Sequence, residues 1–228
     1  PPHKDWKEGI GFDSGFLGIN DMANPYCVNL GPDPGFEHEI ISETETNIVV
    51  RDMFGGIIEQ LKTNETLPRH IEYPVSDMND WNKMKKRLDP YSPGRFPKDF
   101  EKIADEYNKS DKLIIMGDYP FGLFGTCREL LGVESFLISF YTQPDLIKDM
   151  MDYLTDFWLE IFAQIVKYVK VDCVHMWEDM SGQTGSLISP KMVYEFMVPN
   201  YKKIKAFCIK HDIPLFSVDT DGDVRELI

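Results

Sequence analysis

The feature that most constrains the fold is an alternation of short apolar runs and long helical segments in the second half of the chain. The runs KLIIMGD, VDCVHMW and IPLFSV predict strands over residues 113–117, 172–177 and 214–218. Short apolar strands separated by helices long enough for crossover connections are typical of parallel sheets. We therefore expect these three strands to be parallel neighbours in one sheet.

The strongest predicted helix covers residues 144–169. Pro144 suits its first turn, and apolar residues recur at helical spacing along one stripe. This stripe should be buried, and Lys148, Asp152 and Asp156 should be exposed; its members are Ile147, Met151, Leu154, Trp158, Ile161, Ile165 and Val169. Ser76 and Ser189 are candidate N-caps of two further helices, and Pro199 should kink or restart the second. The other helices are predicted over residues 76–88, 98–108, 123–131, 133–141 and 189–211.

Residues 1–75 predict an irregular, hairpin-containing N-terminal portion of the same domain. Residues 1–34 have a loop-like composition, and two β-branched runs flank Gly55 and Gly56. These runs predict antiparallel strands, with a further strand over residues 69–75. The chain begins without methionine and stops where a helix is starting, so we expect residues 1–228 to be one truncated domain.

Charge and cysteine usage limit the partners and the compartment. The net charge is −14 and the pI about 4.7, which argues against nucleic acid and anionic membranes. Three of the four cysteines, Cys127, Cys173 and Cys208, lie in apolar patterns typical of core thiols in a reducing compartment. No run reaches membrane-spanning length and no signal peptide is visible, so a cytoplasmic location is expected.

Acidic residues follow each predicted strand, and parallel strands open their carboxyl ends on one face that carries the chemistry. Glu178 and Asp179 are the candidate catalytic residues, as a general base or a metal ligand. Adjacent residues leaving a strand point to opposite sides, so at most one should enter the cleft. The alternative is structural: Asp179 caps a loop and Glu178 pairs with a lysine.

Four residues are candidates for substrate binding: Asp118, Tyr119, Phe121 and His175. The aromatic residues are as well explained by packing, and a lone strand histidine is more often structural. Asp219 and Asp221 in DTDGD are candidate ligands of a divalent metal, the alternative being a polar turn with Gly222 at positive φ. We hypothesise that Asp179 and Asp219, with Asp118 or Asp221, form an acidic cluster that holds a metal, a cationic group or a proton.

The segment EDMSGQTGSLISPKMVYEFMVPNYKKI resembles the uroporphyrinogen decarboxylase (URO-D) superfamily, which includes tetrapyrrole decarboxylases and corrinoid methyltransferases. GDYPFGLFGTCRELLGVE and YPVSDMNDWNKMKKRLDP are similar to other segments of that superfamily. The resemblance implies a (β/α)8 TIM barrel with its cleft at the strand C-termini. A barrel needs about 250 residues, so we expect an incomplete one here.

Two departures from the family pattern bear on function. The arginine-rich N-terminal segment of the decarboxylases is absent, and the six arginines are scattered. The resemblance places the zinc ligands of the methyltransferases where Asp219 and Asp221 stand, and carboxylates are harder donors than thiolates. We expect methyl transfer from a small-molecule substrate, linked to a corrinoid partner protein. Decarboxylation of a porphyrinogen and a non-catalytic ligand-binding barrel are the alternatives.

Overall fold

A four-stranded parallel sheet forms the centre of the computed structural model, which describes residues 22–25, 27–63 and 68–227. Its strands, in spatial order, are β1 (Met22–Ala23), β6 (Leu113–Gly117), β7 (Cys173–Trp177) and β10 (Leu215–Asp219). Every neighbouring pair is parallel. The three strands predicted from the sequence are therefore confirmed as parallel neighbours.

A second sheet is antiparallel and lies in the N-terminal portion. Its strands pair in sequence order, and they are β2 (Glu39–Glu43), β3 (Asn47–Arg51), β4 (Ile57–Leu61) and β5 (Arg69–Glu72). Gly55 in the β3–β4 turn has φ 92°, a conformation that favours glycine. The predicted hairpin is thus present, whereas predictions for residues 1–21 fall outside the described part of the chain. A two-stranded ribbon, β8 (Ser181–Gly182) and β9 (Gly185–Ser186), follows β7.

The helices match the predicted segments closely. They are α1 (Met78–Lys85), α2 (Phe100–Lys109), α3 (Leu123–Leu131), α4 (Val133–Thr142), α5 (Pro144–Ile165), α6 (Pro190–Met192) and α7 (Val198–Lys210). Ser189 caps α6 as predicted, accepting the Met192 N–H. The prediction of Ser76 as a cap is wrong: Asp77 accepts the N–H groups of Asn79 and Asp80, and the Ser76 hydroxyl contacts the Asp80 carboxylate instead.

A π-helical segment, Val193–Met197, separates α6 from α7. Proline lacks the N–H that an α-helix would bond to the carbonyl four residues back, so Pro199 cannot close the usual ring with Glu195. The Val198 N–H instead bonds the Val193 carbonyl, five residues back. The expected interruption at Pro199 therefore takes the form of a π-bulge.

The core lies between one face of the parallel sheet and the helices. Ile114, Met116, Val174 and Met176 point into it. The predicted α5 stripe is buried, and Lys148, Asp152 and Asp156 are exposed, as expected. Cys127, Cys173 and Cys208 are buried and Cys27 is exposed. No helix in the described part is long and apolar enough to cross a membrane.

The fold class is mixed α/β with a parallel sheet. The described residues form a parallel sheet of four strands that does not close on itself. The parallel sheet is therefore confirmed, whereas the expected barrel is not shown by these residues. The antiparallel strands β2–β5 form a sheet of their own, not hydrogen-bonded to the parallel one. What matters for function is that β1, β6, β7 and β10 end at one common edge.

Leu154 in α5 tests this packing. It is 1% exposed in the core cluster, and Leu154→Ala should lower the free energy of unfolding by roughly 2–5 kcal/mol because a cavity is left behind. Urea unfolding of the intact protein measures the loss. Asp156→Ala, on the exposed face of the same helix, is the control; it removes only an exposed ion pair with Lys203 and should change stability by less than about 1 kcal/mol. Equal losses in both variants would contradict the assigned face.

Candidate active site

The chain turns sharply where β6 and β7 end. Gly117, Asp118 and Asp179 have φ values of 113°, 68° and 45°. A Cβ on Gly117 would lie 2.2 Å from the His175 carbonyl oxygen, so glycine is required at this close approach. The Asp118 N–H donates to the same carbonyl at 2.7 Å. Backbone strain of this kind gathers at functional sites, and here it marks one edge of the sheet.

Glu178 leaves β7 and turns into the protein interior, where it is 0% exposed. One carboxylate oxygen accepts the backbone N–H groups of Phe124 at 2.5 Å and Gly125 at 3.4 Å, at the start of α3. The other accepts the Tyr201 hydroxyl of α7 at 2.8 Å. The first N–H groups of a helix have no partner within it and favour negative charge. Glu178 therefore joins β7 to two helices, and the alternative of a lysine partner is wrong.

Burial governs the ionisation of Glu178. Loss of solvation raises its pKa from 4.5 to about 7, while the Tyr201 hydroxyl and the N–H groups of Leu123, Phe124 and Gly125 act in the opposite direction. Desolvation wins because the carboxylate is wholly removed from water. Burial and the nearby Glu178 also raise the pKa of the Tyr201 hydroxyl and of the Cys127 thiol.

Asp179 points the other way, toward Arg128 of α3. An Arg128 nitrogen lies 3.2 Å from the Asp179 carboxylate, and another donates to the Asp179 carbonyl at 3.3 Å. The guanidinium also lies 5.0 Å from the centre of the Trp177 ring. The two adjacent acids thus have different surroundings. Sequence reasoning missed Arg128, because nothing in its spacing connects it with an aspartate 51 residues later.

A row of aromatic rings continues from Trp177 along the rim. Tyr119 meets Trp177 edge to face at a centroid distance of 5.0 Å, and Phe54 meets Tyr119 at 5.9 Å. Burial, together with the negative charges of Glu129 and Asp52, raises the pKa of the Tyr119 hydroxyl, so it stays protonated at neutral pH. Tyr119 is 44% exposed and available to a ligand.

The remaining candidates for substrate binding lie beneath or beside this row. Phe121 is fully buried and packs against Trp158 and Phe162, so it supports the rim from the core. His175 is on the same sheet face as Trp177, and its Nδ1 lies 2.8 Å from the Ser217 hydroxyl of β10. A residue of β10 therefore holds the His175 ring. Asp118 accepts the Tyr119 N–H at 2.7 Å.

The proposed metal ligands do not assemble. Within the described ranges no group of three or more His, Cys, Asp or Glu side chains could hold a metal ion. Asp219 is exposed at the end of β10, and Asp179 already has a cation in Arg128. Gly222 follows with φ 76°, consistent with the polar-turn alternative for DTDGD. These residues do not fit the zinc that the resemblance implies, and no metal role is assigned to them.

A cavity of about 360 Å³ opens beside the aromatic row. Its walls come from the loop after β1, the β3–β4 turn and the loop after β6, and they include Cys27, Asn29, Phe54 and Tyr119. A larger cavity of about 750 Å³ lies at the opposite edge, next to Asp172 and Ile213 where β7 and β10 begin. Ligands of parallel α/β folds bind at the carboxyl ends of the strands, so the smaller cavity is the candidate substrate pocket.

Comparison with known sequences assigns the family. The family model for uroporphyrinogen decarboxylase (URO-D) matches residues 48–219, three quarters of the chain. The chain belongs to the uroporphyrinogen decarboxylase family. This URO-D match includes Glu178, Asp179, Arg128 and the aromatic row, and it confirms the resemblance found in the sequence.

Similarity to individual proteins is more distant. No curated protein matches this chain. A solved structure of a methyltransferase from Methanosarcina mazei aligns with a TM-score of 0.49 and 15% sequence identity, covering 91% of this chain and 53% of that one. This URO-D chain thus spans about half the length of the structure it matches.

Glu178→Gln tests the buried carboxyl. A folded-state pKa near 7, above the ordinary 4.5, means that the folded protein binds more protons than the unfolded one between these values. The free energy of unfolding should therefore fall as pH rises through this window, by an amount on the order of 3 kcal/mol. Glutamine keeps an acceptor for α3 and removes this part of the slope. Urea unfolding at pH 5, 6, 7 and 8 measures it.

The exposed Glu134 provides the matched control for this experiment. Glu134→Gln should leave the pH slope of the wild type unchanged. Parallel slopes for wild type and Glu178→Gln would show that the carboxyl of Glu178 titrates alike in the folded and unfolded states.

Proposed function

We propose that this URO-D family protein transfers a methyl group from a small molecule to a corrinoid carried by a partner protein. The observation that supports this most is that its arginine side chains are already bonded within the protein. Decarboxylation of a porphyrinogen requires cationic groups for several substrate carboxylates. Arginine is the side chain best suited to this task, through paired N–H donors.

All six arginines lie in the described residues, and each is bonded within the protein. Three pair with carboxylates: Arg51 with Glu39, Arg69 with Glu59 and Arg225 with Asp223. Arg51 also donates to the Gly55 carbonyl. Arg87 and Arg95 donate to backbone carbonyls, and Arg128 holds Asp179. Each of the six arginines therefore already has a partner within the protein, which favours the methyl-transfer branch over binding of a polycarboxylate.

The rim residues suit methyl transfer in a specific way. The bond between the methyl carbon and its heteroatom breaks, and the bonding electron pair stays on the heteroatom. The Tyr119 hydroxyl, protonated at neutral pH, lines the pocket and can donate a hydrogen bond to that heteroatom. A reduced corrinoid would supply the electron pair that takes the methyl group.

Trp177, Arg128 and Asp179 hold Tyr119 in place. The Trp177 ring contacts both the Tyr119 ring and the Arg128 guanidinium. The Asp179 carboxylate in turn pairs with that guanidinium. Asp179 is thus proposed as a positioning residue at the rim, and Glu178 as the buried anchor of the same loop. Preorganisation of this kind places the donor group before substrate arrives.

An assay with free cob(I)alamin tests this function. The intact protein should accelerate loss of the cob(I)alamin absorbance with at least one donor from a panel of O-, N- and S-methyl compounds. Uroporphyrinogen should release no carbon dioxide. Tyr119→Phe should slow methyl transfer by roughly 10²–10³-fold, the usual contribution of a positioned hydrogen-bond donor.

The control is Tyr91→Phe, because Tyr91 is an exposed tyrosine whose hydroxyl bonds Glu160 away from the pocket. This variant should keep the wild-type rate. Carbon dioxide release from uroporphyrinogen, with no methyl transfer from any donor, would instead favour the decarboxylase.

A further inference from the structure

We infer that the cavity beside the aromatic row, called the β1–β6 pocket because its walls follow those two strands, accepts a small ligand without negative charge. The methyl donor of the proposed function would then be neutral or cationic. Only the identification of this ligand as a methyl donor rests on the proposed function. The size, the charges and the hydrogen bonds of the pocket support the inference independently.

Size limits the ligand first. Pockets for drug-sized molecules measure about 300–1,000 Å³, and the β1–β6 pocket, at about 360 Å³, lies near the lower end. Much of its wall is apolar, with Leu30, Met53, Phe54 and Pro120 among the contributors. A small molecule with apolar groups fits this space, whereas a tetrapyrrole with several carboxylates does not.

Charge around the pocket is negative. None of the described residues in its wall is a lysine or an arginine. Burial is the largest cause of the raised pKa of the Tyr119 hydroxyl, and the negative charges of Glu129 and Asp52 raise that pKa further. Burial is likewise the largest cause of the raised pKa of the Cys27 thiol, to which the negative charge of Asp99 contributes. Arg95 lies behind the wall, but its N–H groups donate to backbone carbonyls of residues 29, 31, 87 and 89, and Asp33 and Asp89 lie close to its charge.

The hydrogen-bond donors of the wall are largely used. The Asn24 amide donates to the Gly117 carbonyl and the Asn29 amide to the Pro32 carbonyl. The backbone N–H groups of five wall residues are also bonded within the protein: Val28, Asn29, Gly31, Phe54 and Tyr119. A carboxylate entering the pocket would exchange its hydration for few donors, chiefly the Tyr119 hydroxyl, and for no cationic side chain of the described wall, which is costly. A neutral or cationic group does not meet this penalty.

Cys27 offers a direct probe of the pocket. It is exposed in the pocket wall, whereas Cys127, Cys173 and Cys208 are buried. Methanethiosulfonates form a mixed disulfide with a thiolate and release methanesulfinate. A trimethylammonium-ethyl reagent and a sulfonate-ethyl reagent are similar in size and opposite in charge. Because both react with the same thiolate, the ratio of their rates does not depend on the thiol pKa.

The control corrects for the overall charge of −14. It is the double variant Cys27→Ser, Ser135→Cys, which places the thiol at an exposed position of α4. The ratio of cationic to anionic rates should be roughly tenfold higher at Cys27 than at this control, as expected for a focused negative potential. Asp52→Asn and Glu129→Gln should each lower the ratio. A ratio at Cys27 equal to or below the control would overturn the inference.

A second arm uses three ligands of similar shape: choline, 3,3-dimethylbutan-1-ol and 3,3-dimethylbutanoate. Choline or the alcohol should protect Cys27 from a neutral methanethiosulfonate, and the carboxylate should not. Stronger protection by choline than by the alcohol would assign the cationic class. Protection by the carboxylate equal to that by the other two would overturn the inference.

Failure of this inference can be told apart from failure of the proposed function. Both arms measure occupancy and local charge in the intact protein without turnover. A pocket that prefers the carboxylate contradicts the inference even if cob(I)alamin is methylated. A pocket that behaves as expected leaves the inference standing even if no donor is turned over.

Discussion

The placement of the whole rim depends on one buried carboxylate. Glu178 leaves the end of β7 and meets the first N–H groups of α3 and the Tyr201 hydroxyl of α7. These bonds tie the sheet edge to two helices at one point. Because Arg128 is one turn further along α3, the same anchor brings it to Asp179 and to the Trp177 ring. Desolvation then leaves Glu178 able to hold a proton near neutral pH.

This arrangement separates two tasks that the sequence presents as one acidic pair. Glu178 holds elements together in the interior, and Asp179 faces a cation at the rim. The guanidinium of Arg128 is paired with the Asp179 carboxylate. With every other arginine also bonded internally, this member of the URO-D family presents an aromatic and acidic edge. Our proposal of methyl transfer from a neutral or cationic donor is based on this edge.

Much of the fold follows from local sequence patterns. The parallel strands, α3 and the buried stripe of α5 rest on apolar periodicity and glycine punctuation, which are local signals. Ser76 is wrongly predicted as the N-cap because Ser76 and Asp77 are adjacent and both are good capping residues. The site was less accessible to sequence reasoning, because its decisive contacts join distant segments. The contacts of Arg128 with Asp179 and of Phe124 with Glu178 depend on how the helices pack on the sheet. No fixed spacing in the sequence indicates such contacts.

The titration of Glu178 tests this account most directly. Carbon-13 NMR of the glutamate side-chain carboxyls can follow it in the intact protein, with Glu178→Gln identifying its resonance. The account predicts a midpoint of about 7, because burial outweighs the bonds from Tyr201 and the start of α3. A midpoint at or below about 4.3, the value of an unperturbed glutamate, would show that Glu178 is solvated or otherwise compensated. It would contradict the claim that burial outweighs these bonds in setting the ionisation of Glu178.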